Sequence, residues 1–146
     1  MNKYLALKRK HQQDVNVFPV FFAFCIEQFE MGMASFGLTP NDTDKICRLG
    51  DTGGFYLRTD ADRLIEMLKR HEKEEQEAIL ADTDGNGYIY QMFLYELANH
   101  EYGYTWDVTD TLDALGMTAE EVAGSKPLSR GLNKAIKEIR RQEAND

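Results

Sequence analysis

The chain has 146 residues, of which 42% are hydrophobic and 29% are charged, and its formal net charge is −8. This hydrophobic content excludes an intrinsically disordered chain, and the length fits a single globular domain, which we predict for residues 1–146. The chain has neither a run of 18 apolar residues nor a signal-peptide pattern, so we expect a cytoplasmic protein without membrane contact.

The charge is distributed unevenly along the sequence. The segment from Glu27 to Glu121 contains 21 acids and 7 bases, and the part from Glu74 to Glu121 contains 12 acids and no lysine or arginine. Such a segment produces a negative field, which repels nucleic acid and attracts basic protein surfaces. We therefore expect a basic partner and no direct binding of nucleic acid.

The first part of the chain predicts two helices and a β-hairpin. A helix begins near Asn2 and ends before Pro19, because the residue before a proline favours extended geometry. The sequence VFFAF follows as a short buried extended segment or a helix start, and CIEQFEMGMASFG is typical of a second helix. Two short apolar runs around Gly50, Gly53 and Gly54 predict a small β-hairpin at 45–58. Both cysteines, Cys25 and Cys47, are expected to be buried free thiols.

The second part of the chain is predominantly helical. Residues 59–81 have a helical period and an acidic first turn, while residues 88–102 are apolar nearly all round, which indicates a buried central helix. Short helices follow near 106–116 and 118–124, and a basic amphipathic helix ends the chain. The predicted fold class is α+β and mainly helical, with about five to six helices around the buried helix at 88–102 and one hairpin at 45–58.

The turn between the two long helices resembles a calcium-binding loop. Asp82, Asp84 and Asn86 occupy the first, third and fifth positions of an EF-hand loop, but Phe93 stands where a bidentate glutamate is required. The same sequence also favours a tight turn. Asp-Gly and Asn-Gly supply positive φ angles, and their short polar side chains bond the backbone. We favour the turn and keep calcium as the alternative.

A second candidate metal site uses histidine and glutamate. If the flanking helices pack antiparallel about residue 85, His71 and His100 lie at one level, and Glu75 and Glu96 at the next. These are transition-metal ligands, although the Glu-x-x-His spacing of helical-bundle sites is absent. The default interpretation is an i,i+4 pair of Glu96 and His100. We predict no cofactor.

Three stretches resemble a known family. FFAFCIEQFEMGM, GGFYLRTDADRL and above all MFLYELANHEYGYTWDVTDTLDALGMTAEEV look like those of small uncharacterised proteins from gut-associated bacteria and their phages and mobile elements. The resemblance covers about residues 18 to 137. It implies a domain of unknown function and transfers no catalytic residue.

The functional prediction combines the acidic middle segment with the resemblance to proteins of phages and mobile elements. We expect a non-enzymatic protein that binds a basic surface, with Asp107, Asp110, Glu120 and Glu121 in turns or exposed first helical turns as the contact residues. One concrete form is an anti-CRISPR-like inhibitor that occupies the nucleic-acid channel of a host defence nuclease. The alternative is a small metal-binding protein that uses the turn at 82–88 or the Glu96 and His100 pair. No set of nucleophile, base and orienting group is visible, so no enzymatic activity is expected.

Overall fold

The structure is a computed structural model that describes residues 1–145. These residues form eight α-helices and three short strands, which confirms a mainly helical α+β fold. In chain order the elements are α1 (Lys3–Val17), β1 (Phe21–Phe22), α2 (Ile26–Ser35), β2 (Ile46–Leu49), β3 (Gly54–Leu57), α3 (Ala61–Ala81), α4 (Tyr88–Asn99), α5 (Tyr102–Thr105), α6 (Thr109–Ala114), α7 (Ala119–Ala123) and α8 (Lys126–Ala144). None of these helices is long and apolar enough to cross a membrane.

The chain divides into two compact units. The helical unit contains Met1–Lys10 and the described chain from Lys73 onwards, and the sheet unit contains His11–Glu72. Helices α1 and α3 each contribute residues to both units. The two units have separate hydrophobic cores.

In the helical unit, α4 presents one buried face. Tyr88, Ile89, Met92, Phe93, Glu96 and Leu97 are buried, whereas Tyr95, Ala98 and Asn99 are exposed. The predicted helix at 88–102 is therefore too long, and α4 buries one face rather than its whole surface. The helix ends at Asn99 because Glu101 adopts a left-handed backbone with φ of 58°, which interrupts the helical hydrogen bonding.

Helix α8 packs closely against α4. Ala135 and Ile139 of α8 are buried in the same core as Phe93 and Leu97. Gly131 permits this approach, since a Cβ at that position would collide with the Ile89 side chain and lie 2.9 Å from the Gly85 carbonyl oxygen. The apolar stripe of α8 is thus the main cover of α4, and the basic residues of α8 lie on its other face.

The sheet unit contains the predicted hairpin and one additional strand. Strands β2 and β3 are antiparallel, with Ile46 opposite Leu57 and Leu49 opposite Gly54. Strand β1 pairs antiparallel with the other edge of β3, so the strand order is β1-β3-β2. The extended alternative for VFFAF is therefore correct for Phe21–Phe22, but the expected burial is not, because Phe21 is buried while Phe22 and Phe24 are exposed. Phe21 packs with Met33 and Ile46 in a small core.

The predicted burial of both cysteines in the sheet unit was wrong. Cys25 is exposed, because it is the extended residue before the first turn of α2, and Cys47 is only partly buried. In α3, Ile65 and Leu68 are exposed, whereas Leu64, Met67 and His71 form the buried face. The helical period of α3 was predicted correctly, and the structure shows which residues form its buried face.

Candidate interaction site

A strained one-turn helix lies at the end of α4. Glu101 and Trp106, the residues on either side of α5, both have left-handed backbones, with φ of 58° and 57°. Residues other than glycine rarely adopt this conformation, and each instance costs about 1–3 kcal/mol. The segment is held by the buried Tyr102, whose carbonyl oxygen accepts a hydrogen bond of 2.9 Å from the Trp106 amide. Such strain persists only where the surroundings fix it.

This strained segment exposes two large aromatic side chains. Tyr104 is 85% exposed and Trp106 is 53% exposed. The Trp106 ring lies edge-on to Tyr102, with 5.7 Å between the ring centroids, and the Arg140 guanidinium lies 5.3 Å from its centroid. Tyrosine and tryptophan are enriched among the residues that dominate binding energy at interfaces. The segment therefore has the composition of a contact surface.

The acids predicted to bind a partner stand at the start of the next helix. Asp107 is exposed, and its Oδ1 accepts hydrogen bonds from the Thr109 hydroxyl at 2.7 Å and the Thr109 amide at 2.9 Å. The bond from the hydroxyl and then that from the amide lower the pKa of Asp107. Asp110 is exposed in the first turn of α6. Both carboxylates are placed as expected, and Asp107 also has a local structural role.

The second pair of acids lies at the start of α7. Thr118 precedes this helix, and its Oγ1 accepts a hydrogen bond of 3.1 Å from the Glu121 amide, as the capping sequence predicts. Glu120 and Glu121 are both exposed in the first turn. Acids in this position are stabilised by the partial positive charge of the helix N-terminus. Two consecutive short helices therefore each present a pair of carboxylates to solvent.

The calcium-like turn is closed by its own carboxylates. Asp82 accepts three backbone hydrogen bonds, from the amides of Gly85 at 3.1 Å, Gly87 at 3.1 Å and Ile89 at 2.9 Å. The bonds from Gly87 and Ile89 satisfy amides at the start of α4, which would otherwise have no partner, and the bond from Gly85 closes the turn. Asp82 is therefore the residue that joins α3 to α4.

The other contacts in this turn are those of a tight reversal of the chain direction. Asp84 Oδ1 accepts a hydrogen bond of 2.9 Å from the Asn86 amide, and this bond is the main cause of a lowered pKa of Asp84. Gly85 has the expected positive φ of 80°, but Gly87 has φ of −104°, so only the first glycine supplies a left-handed conformation. Phe93, at the twelfth position of the calcium-loop alignment, is fully buried in the core.

Glu96 and His100 form the pair expected from their spacing, within a larger polar cluster. His100 Nε2 lies 3.4 Å from Glu96 Oε2, and the Tyr4 hydroxyl donates a hydrogen bond of 2.6 Å to Glu96 Oε1. The Lys8 ammonium lies 3.8 Å from the same oxygen. Glu96 and Tyr4 are both buried. Burial first, and then the bond to Glu96, raises the pKa of Tyr4.

His71 has different partners from those of His100. Its Nε2 lies 2.8 Å from Asp14 Oδ2, and its ring stacks on His11 with 3.9 Å between the centroids. The hydrogen bond to His71, followed by that to Arg70, lowers the pKa of Asp14. Among residues 1–145, no three His, Cys, Asp or Glu side chains form a group that could hold a metal ion.

The helical unit also contains an open cleft of about 530 Å³. Ala6, Leu7, Ala78 and Tyr88 provide apolar walls, and this volume is within the range of small-molecule pockets. The rim carries both signs of charge, from Lys3, Lys10, Glu74, Glu77 and Asp82. Lys10 and Glu74 form an ion pair of 2.6 Å there. The rim therefore favours neither an anionic nor a cationic ligand.

Two features of these sites were missed in the sequence. The Tyr4 and Glu96 bond joins residues 92 positions apart, and no periodicity links them. The exposed aromatics were visible in the letters YTWD, but an apolar sequence of this kind normally indicates burial. Their exposure depends on the left-handed residues on either side of α5.

Together these features define a small, mainly helical α+β protein whose helical unit exposes two large aromatic side chains and, at the starts of two short helices, four carboxylates. The chain belongs to the family of unknown function DUF7659, whose model matches residues 3–138. The resemblance to a family of unknown function is thus confirmed. No curated protein and no solved structure matches the chain.

Proposed function

We propose that the protein is a non-enzymatic interaction protein that binds a basic protein surface through the acidic part of its helical unit. The observation that carries this proposal is the charge of residues 74–121, with 12 acids and no lysine or arginine. Asp107, Asp110, Glu120 and Glu121 are all exposed within this segment. Exposed acids of one sign accelerate association with a basic partner and select for it.

The exposed aromatic side chains favour a surface that contacts a partner over a charged surface that only keeps the protein in solution. Tyr104 and Trp106 are exposed directly before Asp107. Acids at the rim of an interface set the association rate and the choice of partner, while buried aromatic anchors provide most of the affinity. A segment that combines both residue types suits a protein partner.

The more specific form of the proposal is an inhibitor from a phage or mobile element that acts in the cytoplasm on a host nuclease. A nucleic-acid channel is a basic surface, and an acidic protein competes with nucleic acid for it. The unbound protein is then expected to bind neither DNA nor RNA at physiological salt, because its acidic segment repels phosphates.

Charge reversal tests the proposal. A variant with Asp107, Asp110, Glu120 and Glu121 all changed to Lys should no longer capture the basic partner from a host lysate. The control changes Asp51, Asp62, Glu66 and Glu72 of the sheet unit to Lys, so both variants have the same net charge. The partner is identified by mass spectrometry, and its capture by the parent should be lost with added salt and with added DNA.

A third variant separates binding from folding. Since Asp107 bonds the first amide of α6, at Thr109, its replacement should cost about 1 kcal/mol of stability, as the loss of other side-chain bonds at helix starts does. Reversal of Asp110, Glu120 and Glu121 alone leaves that bond in place and should still abolish capture with an unchanged circular dichroism spectrum. Equal capture by this variant and the control, or tight binding of nucleic acid by the parent, would show the proposal to be wrong.

A further inference from the structure

The open cleft of the helical unit lies between two helices that face it with the same spacing. Its wall on α1 consists of Lys3, Ala6, Leu7 and Lys10. Its wall on α3 consists of Glu74, Glu77, Ala78 and Ala81. In both walls the residues stand at positions i, i+3, i+4 and i+7, so each helix presents one continuous face to the cleft. We call the cleft between these two walls the α1–α3 groove.

The two walls run in opposite directions and are held in place at both ends. At one end the Lys10 ammonium bonds the Glu74 carboxylate at 2.6 Å. At the other end the Lys3 amide donates a hydrogen bond of 2.7 Å to the side chain of Gln91, in the first turn of α4. Since α4 directly follows α3 in the chain, the start of α1 lies near the end of α3. A groove that is already formed loses less conformational entropy when a partner binds.

The interior of the groove is apolar and open. Leu7, Ala78 and Tyr88 provide apolar surface, and the small side chains of Ala6 and Ala81 are exposed. The cavity volume is about 530 Å³, and the α1 wall extends for about 10 Å, at 1.5 Å per residue. These dimensions accommodate the large apolar side chains from about two turns of another helix, which pack into the space that the alanines leave.

The two walls carry opposite charges that are only partly neutralised. Lys10 and Glu74 pair with each other, but the Lys3 ammonium forms no ion pair within residues 1–145. On the other wall, Glu77 has the exposed Lys73 ammonium at 3.9 Å. The free charge of the α1 wall is therefore positive, and that of the α3 wall is negative. A ligand of one sign is attracted by one wall and repelled by the other, whereas a ligand with both signs on opposite edges is attracted by both.

We propose that the α1–α3 groove binds an amphipathic helix of a partner protein, which places large apolar side chains in the groove, acids along the edge that faces Lys3 and bases along the edge that faces Glu77. Helices that dock in this way present apolar anchors every three or four residues. The charges also select the direction of the helix, because a reversed helix brings its acids against Glu77. This contact needs no part of the function proposed above.

Two other occupants of an apolar groove fit less well. Within residues 1–145 no helix exposes three large apolar side chains at helical spacing, so a second copy of the chain lacks the helix that the groove requires. An anionic membrane is repelled by the acids of the α3 wall, since membrane-binding surfaces carry lysine and arginine. A partner helix with segregated charges satisfies the apolar interior and both walls.

The test uses two fluorescent helical peptides of the same composition, built from leucine, alanine, glutamate and lysine with no net charge. Both have leucine at helical spacing. In the first peptide glutamates follow one edge of the leucine stripe and lysines the other, whereas in the second the two charges alternate along both edges. Fluorescence anisotropy should show saturable 1:1 binding of the first peptide. The second should bind about fivefold more weakly, because it places like charges against each wall.

A groove-filling variant locates the bound peptide. Ala6→Gln combined with Ala81→Gln fills the groove without a change of charge and should weaken binding of the first peptide about tenfold or more. Both alanines are exposed, so the longer side chains do not disturb the core. The matched control is Ala98→Gln combined with Ala144→Gln, which changes two exposed helical alanines outside the groove and should bind like the parent.

Charge reversal tests how the two walls act together. Lys3→Glu leaves free negative charge on both walls, and Glu77→Lys leaves free positive charge on both, so each single change should weaken binding of the first peptide about fivefold. In the double variant the walls again have opposite charges, and the peptide binds in the reverse direction. The affinity should then return to within about twofold of the parent. A net-charge effect alone would act in opposite directions in the two single variants.

Several outcomes would overturn the inference. These are the absence of saturable binding, equal affinity for the two peptides, equal affinity of the groove-filling and control variants, and a double reversal that binds no better than the single ones. A parent dimer that the groove-filling variant converts to a monomer in analytical ultracentrifugation would show that a second copy occupies the groove. Binding to vesicles of phosphatidylcholine and phosphatidylserine that the same variant abolishes would show a membrane surface instead.

Discussion

Replacement of Tyr4 by Phe isolates one buried hydrogen bond that no local pattern in the sequence indicates. The Tyr4 hydroxyl donates to Glu96 Oε1 at 2.6 Å, and both side chains are buried. The Phe ring keeps the edge-on contact with Tyr88, where the centroids are 5.5 Å apart, so the change removes little apolar packing. The effect on stability therefore reports the hydrogen bond itself.

The expected loss is about 2 kcal/mol of unfolding free energy. A hydrogen bond to a charged group contributes about 1.5–3 kcal/mol, and a buried carboxylate that loses its donor retains the cost of desolvation. Within residues 1–145, Glu96 then keeps the more distant Lys8 ammonium at 3.8 Å and His100 at 3.4 Å. For a chain of this length, 2 kcal/mol corresponds to a decrease of about 4–8 °C in the melting temperature.

Urea unfolding followed by circular dichroism measures this loss, and the slope of the transition should not change. Tyr104→Phe is the matched control, because Tyr104 is 85% exposed and its replacement should change stability by less than about 0.5 kcal/mol. If Tyr4→Phe unfolds at the same urea concentration as the parent, the bond from the Tyr4 hydroxyl to Glu96 does not stabilise the fold.

Two further predictions concern ion binding and pH. Because Asp82 already bonds three amides of the turn, millimolar calcium should raise the melting temperature by less than about 1 °C, and a rise of several degrees that Asp84→Ala abolishes would establish a calcium site. Burial, followed by the charge of Glu75, raises the pKa of Tyr88 to about 12, and an unfolded tyrosine titrates near 10. The stability that this proton contributes is therefore complete below about pH 10 and is lost as pH rises through about 12. Thermal melts between those two pH values should show a smaller decrease for Tyr88→Phe than for the parent, and equal decreases would refute the role of Tyr88.

The exposed acids of the helical unit have two explanations that act together. Asp107, Asp110, Glu120 and Glu121 stand at helix N-termini, where the helix dipole favours a carboxylate. A local structural reason accounts for an acid at each position, but it does not account for the lack of any base between Glu74 and Glu121. The proposed partner rests on that lack of bases and on the exposed aromatics.

Features that depend on residues close together in the chain could be predicted from the sequence. The cap of α7 by Thr118, the positive φ of Gly85 and the bond between Asp84 and Asn86 all involve neighbours within a few positions. Their geometry is nearly independent of the rest of the molecule, because short polar side chains bond the nearest backbone amides. The β-hairpin followed from its glycines and apolar runs for the same reason.

Features that depend on packing could not be predicted in this way. A helical period shows that α3 and α4 each have a buried face, but a small rotation selects different residues for it. Met67 and His71 of α3 are buried, while Ile65 and Leu68 are exposed. The i,i+4 pair of Glu96 and His100 was predicted correctly, but the partner of His71 was not, since His71 bonds Asp14.

The sequence by itself therefore determined the fold class, most of the helices, the turn at Asp82 and the acidity of the middle of the chain, since composition and local spacing are sufficient for each. Only the tertiary structure decided that α4 ends before Glu101, that Tyr104 and Trp106 are exposed, and that Tyr4 bonds Glu96. These outcomes depend on contacts between distant parts of the chain. Strain in a left-handed residue or burial of a carboxylate is tolerated only where such contacts compensate for its cost.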